Sequence, residues 1–118
     1  MKLTQYFTKL QLVPVIVQDE RTNEVLMLAY ANEEALRRTI ETGTAWFFSR
    51  SRGKLWNKGK TSGNFIYVRR ILSDCDNDTL LYLGTPKGPV CHTGAKNCFF
   101  NKVWELSLIH ISEPTRPR

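Results

Sequence analysis

The 118-residue sequence is poor in cysteine, and the three cysteines it has, Cys75, Cys91 and Cys98, form no tight C-x2–4-C pair. An odd number without a secretory leader argues against a disulfide framework. The opening MKLTQYFTKLQLVPVIV carries a lysine near its front, and Gln5, Lys9 and Gln11 interrupt its apolar stretch, so it makes a poor signal peptide. No apolar run approaches the roughly 18 residues of a membrane span. No internal repeat or low-complexity linker is present. These absences point to a cytoplasmic protein with no membrane partner. By length the chain is one domain, able to bury roughly two-thirds of its unfolded surface. A hydrophobic fraction of 42% and a charged fraction of 24% are ordinary for a globular protein.

Charge is present but not in a run. The net charge is +6, which suits either a nucleic-acid surface or a phosphorylated small molecule. The basic residues gather at Arg50, Arg52, Lys54, Lys58 and Lys60, and again at Arg69 and Arg70. A compact cluster in a loop favours a phosphate pocket over a nucleic-acid track.

Period-2 patterning predicts a strand over Leu12–Gln18 and a returning strand over Val25–Tyr30, joined by the polar turn Arg21–Glu24. Asn32 is an N-cap for a helix over Glu33–Thr42, with Glu33 and Glu34 in its first turn and Gly43 as its stop. Further strands are expected over Thr44–Ser49, Phe65–Ser73 and Thr79–Gly84. Arg50–Asn64 reads as a polar loop with three glycines, and Thr85–Cys98 as a second loop rich in Gly and Pro. Loops this long in a small domain are usually functional. Residues 1–106 form the expected domain. Ser107–Arg118, SLIHISEPTRPR, has neither strand alternation nor helix spacing and reads as a non-native or disordered extension. Without its Glu113, Arg116 and Arg118 the body keeps a charge of about +5. His110 falls in this tail and has no role.

SDCDND, Ser73–Asp78, sets Asp74, Asp76 and Asp78 at every second position. On an extended backbone they share one face and Cys75 takes the other. Oxygen ligands suit magnesium or calcium, and a thiolate suits zinc. An EF-hand is excluded, because Thr79 and Thr85 stand where that loop needs glycine and glutamate. An exposed acidic turn is the plain alternative, as three small buried hydrophobes are for the cysteines. Three cysteine ligands leave a tetrahedral zinc one open position, the pattern of a catalytic site whose water is acidified towards neutrality. His92, the one histidine of the body, suits a general acid or base. An ordinary loop histidine is the alternative.

DCDND, followed by PKGPVCHTGAKNCF, resembles the signature of the phosphoribosyl-AMP cyclohydrolase family of histidine biosynthesis. AWFFSRSRGKLWNKGKTSGN resembles that family's second block, and LVPVIVQDERTNEVLMLAYANEEAL its N-terminal hairpin and helix. The resemblance runs in order from about Leu12 to Phe99 and fades after about Val103. Ala31 stands where the family often has methionine, and Asn57 at a variable position. It implies hydrolytic opening of the adenine ring of phosphoribosyl-AMP at the N1–C6 bond, giving the phosphoribosyl-formimino-AICAR-phosphate product. It implies zinc on Cys75, Cys91 and Cys98, magnesium on Asp74, Asp76 and Asp78, and a homodimer whose zinc site takes Cys75 from one subunit and Cys91 and Cys98 from the other. The first polar loop then reads as substrate-binding. Arg50, Arg52 and Lys58 face phosphate, Ser51, Thr61, Ser62 and Asn64 donate hydrogen bonds, and Trp56 stacks on the purine, whereas Trp46 is better placed in the core. The expected fold is α+β, mainly β, with one main helix and a mixed sheet folded towards a barrel, dimeric. Two rivals stand beside this reading. A zinc nucleotide deaminase would release ammonia, and its H-x-E and P-C-x-x-C signatures are missing. A non-catalytic zinc module binding RNA would show steep salt dependence.

Overall fold

The computed structural model describes residues 2–106. The tail expected at 107–118 lies outside the described residues. A single turn of 3-10 helix, Thr4–Phe7, leads into β1 (Val13–Asp19), β2 (Val25–Ala31), α1 (Glu33–Thr42), β3 (Trp46–Ser49), β4 (Lys54–Asn57), β5 (Ile66–Ser73) and β6 (Leu80–Pro86). VPVIVQD alternates strictly, burying Val13, Val15, Val17 and Asp19, which makes β1 a strand with one face in the core. The Asp19 carboxylate accepts from the Arg21 N–H at 2.8 Å and the Thr22 N–H at 3.3 Å. Asn23 follows in the left-handed region at φ 67°, a conformation asparagine tolerates, and the hairpin to β2 closes.

The sheet order is β2-β1-β6-β5. β1 pairs antiparallel with β2 and parallel with β6, and β6 pairs antiparallel with β5, so the sheet is mixed, as expected. It is not closed into a barrel, and that expectation is corrected. β2 and β5 remain edges, because β3 and β4 pair with each other in a separate two-stranded ribbon. Backbone bonds from Ala45 N–H to the Ile66 carbonyl and from Val68 N–H to the Gly43 carbonyl hold the ribbon's approach against β5. The presence of β4 is a second correction. The polar loop expected over Arg50–Asn64 contains a strand, since Leu55 and Trp56 are carried on to the core by pairing with Phe48 and Phe47.

The helix follows its local signals. Asn32 accepts from the Ala35 N–H at 2.9 Å, and Gly43, at φ 77°, returns its N–H to the Thr39 carbonyl at 2.9 Å. Ala35, Leu36 and Thr39 face the core. Arg37 and Arg38 pair one turn back with Glu33 and Glu34. The Thr39 hydroxyl donates to the Ala35 carbonyl at 2.9 Å and accepts from the Trp46 N–H at 2.9 Å, tying α1 to β3. Replacing it with valine strands that N–H at about 1–3 kcal/mol.

Phe47 is fully buried between Trp56, at 5.0 Å between ring centroids, and Tyr82, at 5.9 Å. Truncation of such a ring to alanine costs about 3–5 kcal/mol. Burial pushes the Tyr82 phenol up to about 12, and Thr39 acts in the opposite sense. Among the described residues the Tyr82 hydroxyl has no hydrogen-bond partner. Gly84 is required where β6 crosses the bulge in β5. A Cβ there would lie 2.4 Å from the Tyr67 carbonyl oxygen.

Candidate active site

The ribbon β3–β4, the middle of β2 and the loop after β6 line a cleft of about 950 Å³. Its walls are built from the second half of the polar segment. After β4, Lys58 N–H bonds back to the Ala45 carbonyl at 3.0 Å and Gly63 N–H to the Gly59 carbonyl at 2.7 Å, so 58–63 forms a tight turn. Gly59 is needed there twice over: its φ is +98°, and a Cβ would lie 2.4 Å from the Phe65 nitrogen. The turn brings Lys58, Lys60, Thr61 and Ser62 to the cleft, and the β3–β4 hairpin brings Ser51, Arg52, Lys54 and Trp56. Among the described residues, none of Arg52, Lys54, Lys58 and Lys60 forms an ion pair, so their charge is available to an anion.

The opposite wall is the cysteine loop. Cys98 N–H donates to the Leu26 carbonyl at 2.8 Å, which pins the loop's end to β2. Lys96 pairs with Glu24 at 3.0 Å, and the Asn97 carboxamide donates to the same carboxylate in a very short contact. These two partners hold the Glu24 carboxyl below its usual range, Asn97 contributing most. Cys91 is held in a turn by bonds from its N–H to the Ala95 carbonyl and from Gly94 N–H to its own carbonyl. Its Sγ accepts from the Thr93 hydroxyl at 3.1 Å, the main reason its thiol is lowered. Cys98 is raised, first by burial and then by Cys91 facing it. The Lys58 charge adds to the lowering of Cys91 and partly opposes the raising of Cys98. Two facing sulfurs, one of them with its thiol lowered, are the donor type that fits a soft cation such as zinc. Cys75 and Cys98 are exposed and Cys91 is half-buried, so none of the three is a packed core residue, and that alternative falls.

Asp74, Asp76 and Asp78 lie in the turn between β5 and β6. The extended backbone assumed for them is corrected: Asn77 adopts φ 60°, and 74–79 closes through Asp74 N–H to the Thr79 carbonyl at 3.0 Å. Face parity therefore does not apply. The three carboxylates nonetheless converge, with ligand oxygens within 4.8 Å of one another. A cation already sits against them. Lys9 Nζ is 3.3 Å from Asp76 Oδ2 and 3.8 Å from Asp78 Oδ2. Its hydrogen bond is the main cause that lowers Asp76, whereas burial and then the hydrogen bond with Asp76 raise Asp78. The ammonium stands in for a positive ion, and the donor set is all oxygen, so the cluster fits magnesium. Cys75 shares this turn but not the other thiols' site: among the described residues, the aspartates form the one convergent group of three or more metal-binding side chains.

Of the residues expected to act, Ser51, Arg52, Trp56, Lys58, Thr61, Ser62, His92 and Cys98 line the one cleft. Arg50 borders an adjoining pocket instead. Asn64 does not line the cleft, its carboxamide lying against Gly88. Trp46, expected in the core, is half-buried, lines the cleft and carries the Arg38 guanidinium 5.0 Å over its ring. Lys60, at the cleft, and Lys9, at the aspartates, were not singled out as site residues. Lys60 had a visible signal in the basic cluster, and Lys9 had none.

A cleft of this size, walled by aromatic rings, cations without ion pairs among the described residues and a thiol, suits an enzyme of small anionic molecules. The chain is a member of the phosphoribosyl-AMP cyclohydrolase family, whose pattern matches residues 27–100. A phosphoribosyl-AMP cyclohydrolase of Listeria innocua is 60% identical over 94 residues, spanning 80% of this chain and 90% of that protein. Proteins of the same description from Cenarchaeum symbiosum, 59% identical over 92 residues (78% of this chain, 85% of theirs), and Clostridium beijerinckii, 58% over 89 residues (75% and 82%), are similar to it.

Proposed function

We propose that this chain hydrolyses the adenine ring of phosphoribosyl-AMP in histidine biosynthesis, adding water at C6 and breaking the N1–C6 bond. The observation that carries the reading is the opening of His92 and Cys98 into the same cleft as Arg52, Lys58 and Lys60. A purine with phosphates at both ends needs ring walls, cations and a proton carrier in one enclosure, and these residues supply them. Trp56 flanks the base. Arg52, Lys58 and Lys60 neutralise phosphate, and Thr61 and Ser62 donate to it. His92 takes a proton from the attacking water and delivers one to N1 as its bond to C6 breaks. The exocyclic nitrogen stays on as a carboxamide, so no ammonia leaves.

Cys91 and Cys98 are the residues that would hold zinc in this chain, and Asp74, Asp76 and Asp78 those that would hold magnesium. When bound, the zinc supplies a water acidic enough to react near neutral pH. Two thiols leave the zinc set short of a protein ligand, and Cys75 sits in a different turn. We therefore take the active form to be a homodimer in which Cys75 of a second subunit completes the site. Exposed Phe99, Phe100, Val103 and Trp104, at 62%, 53%, 98% and 75%, offer an apolar surface for such a partner. The reducing cytoplasm suits three free cysteines. No described helix is long and apolar enough to cross a membrane.

Incubation with phosphoribosyl-AMP, followed by product absorbance with and without a chelator, tests the reading. Turnover that stops with chelator, returns with zinc and releases no ammonia is expected. Ammonia release would reassign the chain as a deaminase, and no turnover with zinc and magnesium present would refute the activity.

A further inference from the structure

We infer that Tyr30 is a positioning residue whose ring seats the Arg50 guanidinium as the wall of a second phosphate subsite, apart from the lysine-lined cleft. This rests on the substrate reading above, and it divides the two phosphates of that substrate between two chambers.

Arg50 is the first residue after β3, in the turn closed by the Gly53 N–H on the Ser49 carbonyl at 2.8 Å. A long side chain at an exposed turn ordinarily keeps its rotamer freedom. Here its Cζ lies 4.0 Å over the centroid of the Tyr30 ring, well within cation–π range. No carboxylate holds it, since among the described residues Arg50 enters no ion pair. A guanidinium held through its contact with a ring keeps its N–H donors for phosphate oxygens, which its fork matches.

In that seat Arg50 borders a pocket of about 490 Å³, together with Tyr30, Phe48, Ser49, Ser51 and Trp56. The Ser49 and Ser51 hydroxyls lie 3.3 Å apart within it. A cationic fork, two hydroxyls and ring walls are the chemistry of a phosphorylated sugar site. This pocket shares Ser49, Ser51 and Trp56 with the large cleft, so the two chambers have a common wall. Lys58 and Lys60 belong to the cleft and Arg50 to the pocket. Phosphoribosyl-AMP carries one phosphate on the ribosyl group and one on the AMP part. Two chambers keep these dianions apart, and like charges in a single pocket would repel. Tyr30 belongs to β2, held in register by its pairing with Pro14 of β1, so its ring is a fixed platform for an arm on a mobile type of element.

The test is steady-state kinetics of the zinc- and magnesium-loaded enzyme, with ribose 5-phosphate and AMP as competing fragments. Tyr30→Leu removes the platform, Tyr30→Phe keeps it, and Arg50→Met removes the fork. Expected is a KM for phosphoribosyl-AMP raised about three- to tenfold in Tyr30→Leu, with kcat within about twofold of wild type. Tyr30→Phe should retain the wild-type KM, and Tyr30→Leu in the Arg50→Met background should add nothing further. One fragment should lose inhibition in Tyr30→Leu and the other keep it. Pentafluorophenylalanine at position 30, isosteric with phenylalanine but with its ring quadrupole reversed, should reproduce the leucine effect and covers the case in which Tyr30→Leu fails to fold. An unchanged KM in Tyr30→Leu, equal loss in Tyr30→Phe, full additivity with Arg50→Met, or equal weakening of both fragments would each overturn the proposal. Fragment binding by calorimetry reads the subsite without turnover, so its failure is distinguishable from failure of the activity itself.

Discussion

In the turn between β5 and β6, the ties that close the backbone are local, although Lys9 reaches Asp76 from 67 residues away. Asp74 Oδ1 accepts from the Asp78 N–H at 3.1 Å and the Thr79 N–H at 3.3 Å, and the Ser73 hydroxyl donates to Asn77 Oδ1 at 2.8 Å. In the cysteine loop, the ties that fix its position run to distant chain. Cys98 is bonded to Leu26, and Lys96 and Asn97 to Glu24. The acidic turn thus shapes itself, and the fold only supplies its two strands. The cysteine loop takes its place from β2 and the residue before it. An acidic cluster closed this way is shaped mainly by its own residues, whereas the placement of Cys98 depends on a hairpin some seventy residues upstream, as the separation of 73 between Glu24 and Asn97 shows.

The comparison breaks most visibly at the thiols. Cys98→Ser should lose zinc and at least about a hundredfold in activity while leaving magnesium binding intact, measured by metal analysis and turnover. Zinc retained at the wild-type level would show that the loop does not hold it. Asp76→Asn should cost about tenfold in activity and shift the magnesium dependence, with zinc content nearly unchanged. If both metals go together, the two loops are not separate sites. Glu24→Ala sharpens the contrast. It touches no proposed ligand, yet it frees Lys96 and Asn97, and should weaken zinc affinity by about three- to tenfold while magnesium affinity stays put. Competition with a zinc-sensing dye reads this directly, and an unaltered zinc affinity would mean the loop does not need its anchor. The smallest effect is expected at Lys9. Lys9→Met removes the ammonium that leans on Asp76 and Asp78, and should tighten magnesium by about two- to fivefold at low salt, fading as salt rises. Calorimetry showing weaker or unchanged binding would mean that Lys9 does not compete for the cluster.

The same contrast explains what could be read from the sequence. The β1–β2 hairpin and α1 were legible because their signals are local: alternating valines, Asn32 before the helix and Gly43 after it. The convergence of Asp74, Asp76 and Asp78 was legible too, since they stand at every second position of one short stretch. The path of the acidic backbone was not. A D-x-D-x-D spacing suits a strand, and only the left-handed Asn77 makes it a turn. β4 was hidden because just Leu55 and Trp56 carry apolar character in a polar, glycine-broken stretch, and their burial depends on Phe47. Barrel closure failed as an expectation because nothing local tells β3 and β4 to pair with each other alone. Lys9, Tyr30 and Glu24 were missed as partners for one reason: each acts on a group 20 to 73 residues away, as the pairs Tyr30–Arg50, Lys9–Asp76 and Glu24–Asn97 show.

We propose that these two differently built loops meet only across two subunits, Cys75 of one completing the site of Cys91 and Cys98 of the other. Cys75→Ser and Cys91→Ser, each inactive alone, are unfolded and refolded together. A shared site places both lesions in one site of each mixed dimer and leaves the other intact. Activity should return to at most about a quarter of wild type, since half the dimers are mixed and each has one good site. A mixture that stays inactive, with mixed dimers demonstrated by mass, would contradict the account.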